Sequence, residues 1–114
     1  MKRTMVVLTL NIAVAAMLAF TNSHVHAASA DAQVEVKIDN FSFGPATLTV
    51  PAGTTITWVN RDDIPHTVVS EDQTSFKSHA LDTDDKFSHR FEKRGTYTYF
   101  CSIHPKMTAK VVVR

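Results

Sequence analysis

The chain has only one cysteine in its 114 residues, Cys101. A single thiol excludes an internal disulfide framework and any cysteine-rich metal cluster. There are three glycines and four prolines, too few for a glycine-rich linker, a collagen-like repeat or a proline-rich arm. Neither charge dominates: twelve Lys and Arg stand against eleven Asp and Glu. The sequence therefore offers no electrostatic case for nucleic acid or for an anionic membrane. It has no internal repeat, no low-complexity segment and no sustained helical stripe. Its one long apolar run, Met5 to Phe20, is interrupted only by Thr9 and Asn11 and falls short of the roughly 20 residues a membrane span needs.

That run has another reading. Lys2 and Arg3 precede it, and small residues ending in Ala28-Ser29-Ala30 follow it. A basic start, an apolar centre and an A-x-A end are the marks of a secretory signal peptide. Residues 1–30 are expected to be removed, with Ala27 as the alternative cut, and 31–114 to form one domain. The mature chain of ~84 residues keeps ten basic and eleven acidic residues. No cysteine lies near the cut to carry a lipid. A domain this small buries a modest core, and a bound metal is one remedy when a disulfide is unavailable.

The mature part reads as β-structure. Val34 to Ile38 and Thr47 to Val50 alternate apolar and polar residues, as half-buried strands do. Pro51-Ala52-Gly53 is a turn signal. Strands are expected over Thr54 to Val59, His66 to Ser70, Phe87 to Phe91, Thr96 to Phe100 and Ala109 to Val113. Glu71 to Asp85 has no clear period and reads as loop with room for one short strand. Short strands punctuated by turns predict an all-β, antiparallel Greek-key sandwich or barrel of seven to eight strands. Trp58, Tyr97 and Tyr99 are expected in packing roles. His79 and His89 are expected at the solvated surface, and Asp82 to Asp85 in a solvated loop.

The chemistry is concentrated in Cys101-Ser102-Ile103-His104-Pro105-Lys106-Met107, with Ile64-Pro65-His66-Thr67 upstream. Each residue alone has a plain structural explanation. A cysteine at a strand end is commonly inert and buried, a methionine before a valine-rich strand is core filler, and a lone histidine at a strand start is a surface or capping residue. Together they form a different object. One thiolate, two imidazoles and one thioether are the donors of a blue-copper site, three strong ligands with a weak axial sulfur. The spacing puts Cys101, His104 and Met107 on one tight loop, and strand pairing brings His66 to the same end. Zinc accepts Cys and His as well, but structural zinc generally uses four such donors. A thiolate inside a metal site is also protected in an oxidising compartment, where a free thiol is a liability.

These residues resemble the cupredoxins, and within them the amicyanin and plastocyanin branch, nearest to amicyanin. The resemblance runs from Val50-Pro51-Ala52-Gly53 through Thr57 to Asn60, Pro65 to Val68 and Gly95 to Tyr99 to the Cys101 loop and Lys110 to Val113. Two residues separate Cys101 from His104 and two separate His104 from Met107, as in the amicyanin loop; plastocyanins have a longer second gap. The resemblance implies one type 1 copper ion, Cu(I)/Cu(II), held by His66, Cys101, His104 and Met107. It implies that Asn60 ties the His66 loop to the Cys101 loop near Ser102, and that the Thr67 amide donates to the Cys101 sulfur. It also implies electron exit at the His104 edge, with Ile64, Pro65, Ile103 and Pro105 around it as an apolar docking patch and Lys106 at its rim. Ile103 stands where amicyanins often carry proline, and 71–85 is unlike the family.

The expected function is then a monomeric, periplasmic electron carrier rather than an enzyme. It would have transient redox partners, with an amine dehydrogenase and a c-type cytochrome as the candidates the resemblance suggests. It would have no nucleic-acid partner and would not insert in a membrane after cleavage. The rival expectation is a periplasmic copper carrier or scavenger serving copper homeostasis.

Overall fold

The computed structural model describes residues 32–114, so the expected signal segment lies outside the described residues. Within them, eight strands follow in order: β1 (Gln33–Asp39), β2 (Ser42–Gly44), β3 (Thr47–Val50), β4 (Thr54–Asn60), β5 (Val69–Ser70), β6 (Lys86–Phe91), β7 (Gly95–Phe100) and β8 (Thr108–Val113). They form two four-stranded sheets, ordered β2-β1-β4-β6 and β3-β8-β7-β5. The all-β expectation and the strand number hold. The sheets are mixed rather than purely antiparallel, because β1 pairs with β4 and β3 with β8 in parallel. Parallel neighbours require connections that cross between the sheets, and this interleaving welds the two layers together.

Alternation in sequence becomes a two-faced sheet. Val36 and Ile38 in β1, Ile56 and Trp58 in β4, and Val111 and Val113 in β8 point inward and are buried, while Lys37, Glu35 and Lys110 face out. Trp58 sits at the centre. Its ring lies 5.7 Å from Phe76 and 5.4 Å edge-on from Tyr99. Burial pushes the Tyr99 phenol up to about 12 because the ionised form loses its hydration.

Two local expectations change. The strand foreseen over His66 to Ser70 shortens to Val69–Ser70; of the residues before it, His66 meets the 71–85 loop through an isolated bridge to Leu81, and Val69 itself makes another to Lys77. His89 is not a solvated surface residue. It shares a face with Phe87 and Phe91, is half-buried, and its ring lies 5.2 Å from Phe76 and 4.8 Å from Phe91. Burial lowers its pKa. His79 is exposed, as expected.

Candidate metal centre

One pole of the sandwich collects four chain reversals. Because β1 and β4 run parallel, with Ile38 opposite Asn60, the β1–β2 turn and the loop after Asn60 leave the sheet at the same end. The β7–β8 loop and the Leu81 segment meet them there.

The β7–β8 loop is closed by its own backbone. Cys101 N–H donates to Met107 O at 3.1 Å, Met107 N–H to His104 O at 2.9 Å and His104 N–H to Cys101 O at 3.2 Å. These bonds hold a cysteine, a histidine and a methionine on one compact turn. The His66 segment is pinned from the other side: His66 N–H donates to Leu81 O at 3.1 Å and Leu81 N–H to His66 O at 2.7 Å.

His66, Cys101 and His104 thereby converge, with one ligand atom from each lying within 4.8 Å of the others. Nδ1 of His66 is 3.8 Å and Nδ1 of His104 is 3.7 Å from Cys101 Sγ. The imidazole centroids are 5.1 Å apart. Cys101 and His66 are fully buried and His104 is half-buried. Met107, closing the loop, is buried as well.

The sulfur is prepared to carry charge. Burial alone would raise the Cys101 pKa. Hydrogen bonds from the Thr67 backbone, His66, His104 and the His104 backbone outweigh it and bring the thiol down to about 6. Thr67 N–H reaches Sγ at 3.4 Å, as the resemblance implies. A thiolate is the form that ligates metal.

The tie between the two loops is not the one expected. Asn60, fully buried, donates through Nδ2 to Ile64 O and to Leu81 O, both at 2.8 Å, and its Oδ1 accepts from Asp62 N–H at 2.9 Å. It braces the His66 loop and ties it to the Leu81 segment, and it does not reach Ser102. The inter-loop tie belongs to Thr67, whose Oγ1 lies 2.7 Å from both the amide nitrogen and the Oγ of Ser102. A side chain that also presents its amide to the sulfur is better placed than Asn60 for that role.

Asp62 is a residue that sequence reasoning missed. Its Oδ2 lies 2.9 Å from His66 Nε2 and accepts the Phe41 N–H at 3.0 Å. Those bonds, the backbone contact first, hold its carboxyl below the ordinary range. The Nε2 contact fixes the ring so that Nδ1 faces the sulfur, the arrangement by which an outer carboxylate orients a ligand imidazole. The one available signal was an Asp four residues before the histidine, a pattern too common in turns to stand out.

The donor set fits copper. Two imidazole nitrogens and a thiolate suit both copper states. Among the described residues no carboxylate joins the group of converging donors; Asp62 contacts the far nitrogen of His66. A buried thioether on the same loop suits copper better than structural zinc.

The chain matches the Cupredoxin-like domain over residues 11–113. The chain belongs to the cupredoxin-like family. It is 37% identical over 90 residues to an amicyanin of Paracoccus versutus, covering 74% of this chain and 66% of the amicyanin, so the match spans about two thirds of that relative's length. Among solved structures, a purple cupredoxin from Nitrosopumilus maritimus superposes with a TM-score of 0.64 at 37% identity, covering 73% of this chain and 99% of that one. A copper-containing nitrite reductase from Thermus scotoductus superposes with a TM-score of 0.67 at 33% identity, but this cupredoxin accounts for only 22% of that enzyme. No helix of the described residues is long and apolar enough to cross a membrane.

Proposed function

We propose that this cupredoxin is a periplasmic one-electron carrier in which His66 Nδ1, Cys101 Sγ, His104 Nδ1 and, more weakly, the Met107 thioether would hold a type 1 copper. The convergence of the first three atoms around a thiol poised to ionise carries the reading. When bound, copper supplies a Cu(II)/Cu(I) couple.

The chain's own residues supply the rest. Full burial of His66 and Cys101 excludes water from the reactive side. The backbone bonds across the β7–β8 loop and between His66 and Leu81 fix the donors before metal arrives. Rigidity of that kind keeps ligand rearrangement small when the charge changes, and so keeps the barrier to transfer low. Half-buried His104 is the route outward, flanked by exposed Pro65, Ile103 and Pro105. A small apolar rim suits brief encounters with redox proteins, whose interfaces are small and weak. Exposed Lys106 biases approach more than affinity. Residues 1–30 act as the export signal. An amine dehydrogenase donor and a c-type cytochrome acceptor are the partners to try first. The catalytic reading is weaker, because the neighbouring reductase is more than four times longer than the part that superposes and one small domain offers one site.

The deciding experiment is the visible spectrum of the oxidised, copper-loaded protein. An intense thiolate-to-copper band is expected in the parent and none in Cys101→Ser. A parent without that band overturns the site. Rapid electron self-exchange is expected; slow exchange with ready copper hand-off to an apo-acceptor would make the protein a copper carrier instead.

A further inference from the structure

The β1–β2 hairpin ends in an unusual way. Asn40 and Phe41 both have left-handed backbone, with φ of 48° and 56°. A tight hairpin turn asks for this conformation, and Asn is suited to its first position, but the second is ordinarily glycine. A bulky side chain in the left-handed region is disfavoured by contact of its Cβ with the backbone. Phe41 gains little in return from the core, since it is 52% exposed. With Ile103, it is one of two large exposed apolar side chains among the described residues. Strain at an exposed residue, held where a glycine would relieve it, asks for a functional explanation.

The surroundings supply one. The Phe41 ring stands edge-on to both imidazoles, 5.0 Å from His104 at 88° and 5.7 Å from His66 at 89°. Edge-to-face contact at these separations is the favoured geometry for aromatic pairs. Its backbone N–H binds the same Asp62 oxygen that holds His66 Nε2. The hairpin tip is thus coupled to His66 through a carboxylate and to His104 through a ring.

We propose that Phe41 is a positioning residue of the metal centre: its ring forms the outer wall that keeps His104 facing Cys101, while its amide fixes the carboxylate that orients His66. His104 needs such a wall. It is the less buried imidazole, and its backbone is fixed only within its own loop. The inference rests on the copper reading above, and it adds a residue remote in sequence from all four proposed ligands.

The test compares the copper-loaded parent with Phe41→Leu, which keeps apolar bulk, and Phe41→Gly, which relieves the turn. Five quantities are read: Cu(I) release to a chelator, the reduction potential, the rate of bimolecular electron transfer, and, in the copper-free protein, the unfolding midpoint and the ring proton resonances of His66 and His104. Copper release is expected to quicken by about tenfold in the glycine variant, the lower end of what such outer contacts contribute to metal affinity, and by less in the leucine variant. The potential shifts in both, and both sets of histidine resonances move in the metal-free protein. Its unfolding midpoint stays level or rises with glycine, so faster release would not reflect a weaker fold. If the glycine variant does not fold, the leucine variant decides. Release, potential and resonances matching the parent overturn the proposal. A change confined to bimolecular transfer overturns it too and makes Phe41 a docking residue. A parent that lacks the thiolate band defeats the copper reading itself, an outcome separable from the histidine resonances.

Discussion

The hydroxyl of Thr67 accepts the backbone N–H of Ser102 over 2.7 Å, while the amide of the same threonine donates to Cys101 Sγ at 3.4 Å. One residue therefore joins the two loops and tempers the sulfur. Thr67→Val keeps the shape and the amide but removes the acceptor. The Ser102 N–H then loses its protein partner, and because Ser102 is exposed the cost is that of one ordinary hydrogen bond, about 0.5–1.5 kcal/mol. Urea denaturation of the copper-free protein is expected to show this loss with an unchanged slope. The thiolate band of the loaded protein should persist, because the amide contact to sulfur survives. Stability equal to the parent would show that water replaces the hydroxyl.

Asp62 provides a test of site electrostatics. Asp62→Asn keeps the shape and takes away the charge that faces His66 Nε2. Loss of an outer hydrogen-bonding partner of a ligand imidazole typically weakens metal binding by about 10- to 100-fold. Removing a negative charge beside the site also disfavours the more positive copper state, so the reduction potential should rise. Competition titration and voltammetry check the two effects. A potential that falls would contradict the assigned orientation of His66.

Much of this was legible from residue order, and the gaps have physical causes. Alternation marks β1, β3 and β6 because each buries one face, and β-branched runs mark β4 and β8. Ser42–Gly44 has a single inward residue, Phe43, so no period can reveal it. The parallel pairing of β1 with β4 depends on contacts between distant segments, which local pattern does not encode. His89 is a different failure. Alternation places it with Phe87 and Phe91 on the inward face, not on the polar side expected from its Ser and Arg neighbours; Phe76 and Phe91 pack against the ring, and burial lowers its pKa. Cys101, His104 and Met107 are conspicuous because unusual donors cluster in seven residues. Asp62 and Phe41 are not, because their importance arises only when two turns meet at the pole.

Asn60 makes a sharper stability prediction than any residue touching the sulfur. It is fully buried and satisfies the carbonyl of Ile64 and the amide of Asp62 in its own loop and the carbonyl of Leu81 across from it. Asn60→Ala takes the partner from the Ile64 carbonyl and the Asp62 amide, while the Leu81 carbonyl keeps the His66 N–H; a polar group left unpaired costs about 1–3 kcal/mol. A loss of at least about 2 kcal/mol is expected in chemical denaturation. Copper affinity should fall with it, since the carbonyl of Leu81 also receives the His66 N–H. A variant with parental stability would mean that the loop repacks without its brace.

Asp72 sets the expected acid sensitivity at a distance from the metal. Its carboxylate accepts from Ser70 Oγ at 2.6 Å, from the Thr74 and Ser75 amides at 2.9 Å each, and from Ser75 Oγ. The hydroxyls of Ser70 and Ser75 first, then the two amides, hold its pKa well below the usual carboxylate range. The folded state therefore binds this proton less readily than the unfolded chain does. The contribution to stability is full above the unfolded carboxylate pKa and is lost as pH falls below it. Asp72→Asn lacks the contribution at every pH. Urea midpoints measured from neutral to strongly acidic pH should show the parent more stable at neutrality and the two curves drawing together in acid. Parallel curves would mean that the carboxylate's hydrogen bonds to the loop are absent in solution.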